Sequence, residues 1–198
     1  MSEEEIIPEI PGVDPNITKV TPFQEITIAE IPSGSIIDIG GGGEGVIAQV
    51  GKERVTAIDK RQSEIDEAKD KAPEAKWLVA DALDLPFEDE EFDNATSFFS
   101  GMYMSHEDKK KAIKEVYRVI SPGGELWIWD SKVHTDKKSF IIVLTISLSG
   151  KEKFNTGYGN KTTDQNENMY KEYLEESGFS IEEIEVNKYW FFIRAKKT

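Results

Sequence analysis

The stretch "IIDIGGGGEG", Ile36–Gly45, decides the reading of this chain. Apolar, β-favouring residues flank one Asp and run into five glycines in six positions. Glycine costs roughly 0.5–1 kcal/mol in regular structure relative to alanine. Such a run therefore signals a local demand, usually that something bulky lies against bare backbone. A strand, a glycine turn and a helix form a nucleotide-binding corner, and Gly40, Gly42 and Gly45 satisfy G-x-G-x-x-G. An acidic residue is expected at the tip of the next strand to hold ribose hydroxyls. Asp59 stands 19 positions after Gly40 (59 − 40), against an expected spacing of about 20.

Outward from this corner, short apolar runs alternate with amphipathic stretches. Strands are expected at Ser35–Ile39, Arg54–Ile58, Lys76–Ala80, Phe92–Phe99 and Glu125–Asp130. Helices are expected at Val46–Val50, at Gln62–Lys71, and from a Ser105 cap to Ile120. This alternation implies right-handed crossovers and a doubly wound sheet with helices on both faces, a three-layer α/β/α arrangement. Ser139–Ser149 and Lys153–Tyr158 read as an inserted β-hairpin, spanning 139–158. A last helix starts at Asp164 with Glu167 as capping partner and stops at Gly178, and a terminal antiparallel hairpin follows at Ile181–Val186 and Tyr189–Ala195. Pro8, Pro11, Pro15 and Pro22 make residues 1–22 an extended arm ahead of a single domain at 23–198. Phe23–Ile31 fits a strand or a short helix.

Composition narrows the partners. The 198 residues hold 38 acidic against 24 basic side chains, a formal charge of −14 that repels phosphate backbones and argues against nucleic acid. Without Cys and with only His106 and His134, the chain offers neither thiolate chemistry nor a His-rich metal site. The acidic start and the lack of a membrane-length apolar run point to a cytoplasmic protein. Glu44 in the glycine turn would repel a pyrophosphate and favour a ligand bearing an ammonium or sulfonium group.

In this order, Asp38-Ile39-Gly40-Gly41-Gly42, Asp59, Val79-Ala80-Asp81-Ala82, Phe92-Asp93 and Ser121-Pro122-Gly123-Gly124-Glu125-Leu126 resemble the class I S-adenosylmethionine-dependent methyltransferases. The resemblance covers about Ile36 to Thr198 and implies S-adenosylmethionine as cofactor. It implies that Gly40 and Gly42 approach the methionine part and that Asp38 steers its ammonium. Asp59 would hold the ribose, Asp81 and Ala82 the adenine, and Phe98, Phe99 and Ser100 would line the methyl region. Glu44 departs from the family pattern by standing where a third glycine is usual. Methyl transfer from a sulfonium needs alignment more than a base. Tyr103, His106 and Asp130, at the ends of the fourth and fifth strands, are the candidates for acceptor-side or base roles. A small-molecule acceptor is favoured, and a protein acceptor stays open. A binding protein without turnover, an aminopropyltransferase and a nicotinamide-binding protein are the alternatives. Residues 1–22 and the 139–158 insert are expected to form a β annex over the acceptor entrance, with Phe23–Ile31 as its third strand.

Overall fold

The computed structural model describes residues 6–161 and 163–198. The parallel strands are β2 (Ile36–Ile39), β3 (Val55–Asp59), β4 (Lys76–Val79), β5 (Asn94–Phe98) and β6 (Glu125–Ser131). With β9 (Phe179–Val186) and β10 (Trp190–Lys197) they form a seven-stranded sheet ordered β4-β3-β2-β5-β6-β10-β9. Strand β10 runs antiparallel to both of its neighbours, β6 and β9, so it alone is reversed and β9 points the same way as the parallel strands. The chain starts at the middle with β2, winds out to β4, then returns to β5. Its switch point lies between β2 and β5, where open α/β sheets bind ligands beyond the carboxyl ends of the strands.

Helices α1 (Val46–Gly51) and α2 (Gln62–Lys71) cover one half of one face. The opposite face is covered by α3 (His106–Val119) and α4 (Glu167–Glu176), which bury Ile113, Val116, Tyr170 and Leu174. Ser105 caps α3 by accepting a hydrogen bond from the Asp108 N–H at 3.1 Å, as the sequence indicates. The α4 cap differs from expectation. Asn166, not Asp164, accepts from the Met169 N–H at 3.0 Å, while Asp164 faces His134 Nδ1 at 3.0 Å.

The remaining half-layer is a sheet instead of helices. Strand β1 (Thr18–Ile28) pairs in parallel with β7 (Ser139–Leu148), which pairs antiparallel with β8 (Phe154–Lys161). The alternation in β7 has its expected effect. Phe140, Ile142, Leu144, Ile146 and Leu148 are buried in one core with Trp127, Trp129, Trp190 and Phe192 of β6 and β10. Each such side chain contributes about 1.5–3 kcal/mol on burial. The arm expected to reach Pro22 ends at Ile17, because β1 starts at Thr18 and absorbs Pro22 at a register shift between Val20 and Phe23. Thr21 Oγ1 there receives the Val143 N–H at 3.1 Å, replacing the ladder bond the irregularity interrupts. Residues 1–5 of the expected arm lie outside the described residues.

Candidate functional site

A cleft of about 560 Å³ opens at the switch point, beyond the carboxyl ends of β2, β3, β4 and β5. Its floor is the glycine turn. Gly40 has φ +68°, a conformation strained for any other residue, and a Cβ there would strike Ser100. Gly42 lies outside the left-handed region, but a Cβ would meet the Cβ of Glu64 and, at 2.7 Å, an Asp59 carboxylate oxygen. The turn is thus bare so that the ends of β3 and β5 and the start of α2 can close on it. Gly41 and Gly43 direct their N–H groups to the carbonyls of Ile58 (2.9 Å) and Glu64 (2.8 Å), tying the turn to both.

The expected cofactor residues converge with one exception. Gly40, Gly42, Asp59, Asp81, Ala82, Phe98, Phe99 and Ser100 all line the cleft. Asp59 accepts the Arg61 N–H at 2.9 Å, which fixes its carboxylate at the tip of β3. Asp81 accepts from the Leu83 N–H at 3.0 Å and from Lys60 Nζ at 2.9 Å, so its carboxyl is held below the usual range, chiefly by the backbone bond. Phe99 takes φ +51° at the end of β5, a strained conformation for an aromatic residue, with its N–H bound to the Trp129 carbonyl at 2.8 Å.

Asp38 is the exception. It lies under the turn, 1% exposed, with Oδ1 accepting from Thr96 Oγ1 at 2.7 Å. Its other oxygen sits directly beneath Gly41 and has no hydrogen-bond partner among the described residues. Burial pushes this carboxyl up to about 7, partly offset by the Thr96 bond and reinforced by the nearby Asp59 charge. Such an orphaned buried oxygen is costly unless a ligand or water supplies a donor.

Of the three acceptor-side candidates, the cleft holds one. Tyr103 lines it, and its hydroxyl accepts the Gly159 N–H of β8 at 3.1 Å. His106 does not reach the cleft: it turns to α4, where Nδ1 lies 3.1 Å from the Tyr173 hydroxyl. Asp130 is fully buried behind Gly101. It accepts from the Tyr170 hydroxyl (2.7 Å), Gln165 Nε2 (2.9 Å) and the Ser131 N–H (2.8 Å). These bonds tether α4 to β6 and hold the carboxylate behind the cleft, not on the rim where the sequence places a base.

Further cleft-lining residues come from outside the motifs. Glu64 and Asp108, on the first turns of α2 and α3, face the cleft. Across the glycine turn lies β8. Thr156 Oγ1 donates to Glu44 at 3.3 Å, and the Tyr158 ring stacks on Phe99 at 5.3 Å with an 11° interplanar angle. Glu44 is also paired with Lys71 at 3.1 Å, so its charge is partly offset. The electrostatic bias rests on the whole wall: Glu44, Asp59, Glu64, Glu67, Asp81 and Asp108 against Lys60 and Arg61. Lys60 is spent on Asp81 and Arg61 on Glu64 (3.3 Å). The cleft is suited to a cation. Among the described residues no group of His, Asp and Glu is arranged to hold a metal ion, and no helix is long and apolar enough to cross a membrane.

Residues 37–128 match the family described as "Methyltransferase domain". Tocopherol O-methyltransferase of Arabidopsis thaliana is 46% identical over 69 residues, 35% of this chain and 19% of the relative. Demethylmenaquinone methyltransferase of Thermus thermophilus is 41% identical over 70 residues, 35% of this chain and 29% of the relative. The matched segment thus spans less than a third of either relative. A solved S-adenosylmethionine-dependent methyltransferase from Methanosarcina mazei superposes with a TM-score of 0.61 at 21% identity, covering 82% of this chain and 92% of the other. That likeness concerns the fold.

Proposed function

We propose, on the premise that residues 37–128 carry a methyltransferase domain set in the α/β fold of the S-adenosylmethionine-dependent methyltransferases, that this protein transfers a methyl group from S-adenosylmethionine to a small-molecule acceptor. The observation that carries the reading is the acidic cleft over a bare glycine turn, with Asp38 Oδ2 orphaned beneath it. A dinucleotide would bring a pyrophosphate against six carboxylates. S-adenosylmethionine brings a sulfonium and an ammonium instead.

Charge sets the orientation. Asp59 at the tip of β3 takes the ribose hydroxyls. The ammonium of the amino-acid arm lies towards Asp38, Glu44 and Glu64, and the base lies in the opposite direction, between Asp81, Ala82 and Leu83. When bound, the cofactor supplies an activated methyl group and its own leaving group. The chain's task is alignment and exclusion of water, for which positioning can be worth roughly 7–11 kcal/mol. Phe99 and Tyr158 form the apolar wall, and Tyr103 and Met104 the rim where an acceptor enters. The relatives are named for methylating tocopherol and demethylmenaquinone. With these flat aromatic faces, that supports a planar acceptor over a polypeptide. The acidic, cysteine-free composition supports a cytoplasmic location.

Calorimetric titration with S-adenosylhomocysteine and with NAD tests the cofactor, and a labelled methyl donor with a panel of hydroquinones and phenols tests the acceptor. Saturable heat from S-adenosylhomocysteine and none from NAD is expected. The reverse result would end this reading.

A further inference from the structure

We infer that the outer edge of β8 binds the carboxylate of the cofactor's amino-acid arm, through the backbone N–H of Gly157. The inference rests on the cofactor assignment above and assigns the 139–161 hairpin to the cofactor, not only to the acceptor entrance.

Two independent hydrogen bonds show where the Gly157 N–H is directed. In β7, Val143 turns its N–H away from β8, to Thr21 Oγ1 of β1. Val143 is the register partner of Gly157, so this pair exchanges no ladder bonds and Gly157 turns its own N–H and carbonyl outward. Two residues along the same edge, Gly159 sends its N–H outward to the Tyr103 hydroxyl. Outward-facing groups recur every second residue, about 6.6 Å apart. Gly159 is thus docked on the Tyr103 side, Thr156 on the Glu44 side, and Gly157 between them borders the cleft.

The surrounding chemistry selects the ligand group. At the turn end of the cleft, Glu44, Glu64 and the buried Asp38 receive an ammonium but repel a carboxylate. The nearby cations are committed: Lys71 to Glu44 and Glu67 (2.7 Å), Arg61 to Glu64. A zwitterionic amino-acid arm placed there has its ammonium on the turn side. Its carboxylate then needs an uncharged donor on the facing wall, and the edge of β8 provides one. The fold itself makes no demand for glycine at 157, since an added Cβ would find only ordinary contacts with Ile142 O (3.5 Å) and Ile141 (3.8 Å). At Gly159, in contrast, Ile141 leaves no such room (2.8 Å).

Gly157→Pro removes the N–H, and with it fixes φ, at an edge position where proline is tolerated and after a residue already extended. Gly157→Ala keeps it. Both are titrated with S-adenosylhomocysteine and with 5′-methylthioadenosine, which lacks the amino-acid arm, with thermal melting to verify folding. Gly157→Ala should bind both ligands within about twofold of the unaltered protein. Gly157→Pro should lose about tenfold to a hundredfold for S-adenosylhomocysteine, the usual worth of a hydrogen bond to a charged group, and keep its affinity for 5′-methylthioadenosine. Equal losses for both ligands, or none for either, would overturn the inference while leaving the cofactor assignment standing. Failure of the unaltered protein to bind S-adenosylhomocysteine would overturn both.

Discussion

Replacing Asp38 with Asn removes a charge and little else, since the Asn carbonyl still accepts from Thr96 Oγ1. The buried carboxyl rises from 3.8 to about 7, which at about 1.36 kcal/mol per pH unit is about 4 kcal/mol. The sign follows from proton counting. Between pH 3.8 and about 7 the folded protein keeps a proton that the unfolded chain has released. This contribution is whole below 3.8 and is lost as pH rises towards 7. Asn has nothing to lose. The stability of Asp38→Asn minus that of the unaltered protein should therefore climb by about 2–3 kcal/mol between about pH 5 and pH 7, then level off. Urea midpoints across that range, with the denaturant slope verified as equal, measure the difference. Binding supplies a second reading. An ammonium beside Asp38 favours its ionised form, so S-adenosylhomocysteine should release up to about one proton when it binds below pH 7, visible in calorimetry as a dependence on buffer ionisation heat. Asp38→Asn should abolish that dependence and weaken binding. A stability difference that stays flat with pH would refute the raised ionisation.

Asp59→Ala should lower S-adenosylhomocysteine affinity by about tenfold to a hundredfold while leaving the melting temperature nearly unchanged, because its carboxylate faces the cleft and meets Arg61 locally, at the backbone N–H (2.9 Å) and at the side chain (4.0 Å). His106→Ala should leave methyl transfer within about twofold and cost under about 1 kcal/mol, measured by turnover and urea unfolding, since its ring meets the Tyr173 hydroxyl of α4 and does not line the cleft. Tyr170→Phe should destabilise the fold by about 1.5–3 kcal/mol, because a buried carboxylate loses its shortest donor. Cofactor affinity measured on the same variant should hold, and a large loss would return Asp130 to the site. Tyr158→Ala should cost about 3 kcal/mol and weaken S-adenosylhomocysteine binding as well as turnover, because the ring that seats β8 on Phe99 is gone.

What could be read in advance was whatever depends on neighbours in sequence. The turn at Gly40–Gly45, the Ser105 cap and the β7 alternation each involve residues within a few positions of one another, and all appear in the structure. Asp59 was visible because its spacing from the turn is set by one strand–helix unit. What the sequence does not show is the contact with distant partners. Asp130 looks like a rim residue from the end of its strand, yet Tyr170, 40 positions on, occupies it. His106 looks exposed at a helix start until Tyr173 arrives 67 positions later. Thr156 and Gly157 carry no motif at all. They reach the cleft because β8 pairs with β7, and that pairing places them opposite Glu44, 112 positions before Thr156. The doubt over β1 had a local cause: Pro22 interrupts a strand at the register shift, where sequence alone has no partner to reveal it.

The parallel pairing of β1 with β7 also has a temporal side. Thr18 meets Ser139, so 121 residues (139 − 18) separate the first partners. At roughly 5–20 residues per second, β1 leaves the ribosome about 6–24 s before β7 exists. Throughout that interval Ile26 and Ile28, each under 3% exposed in the finished fold, have no lasting partner. Lys19, Pro22 and Glu25 interrupt the apolar run and make the waiting strand a poor template for other chains. When the whole chain refolds, the same separation acts as a loop-closure cost, and refolding experiments should show β1 pairing with β7 last, after the strands that carry Asp59 and the glycine turn are in place.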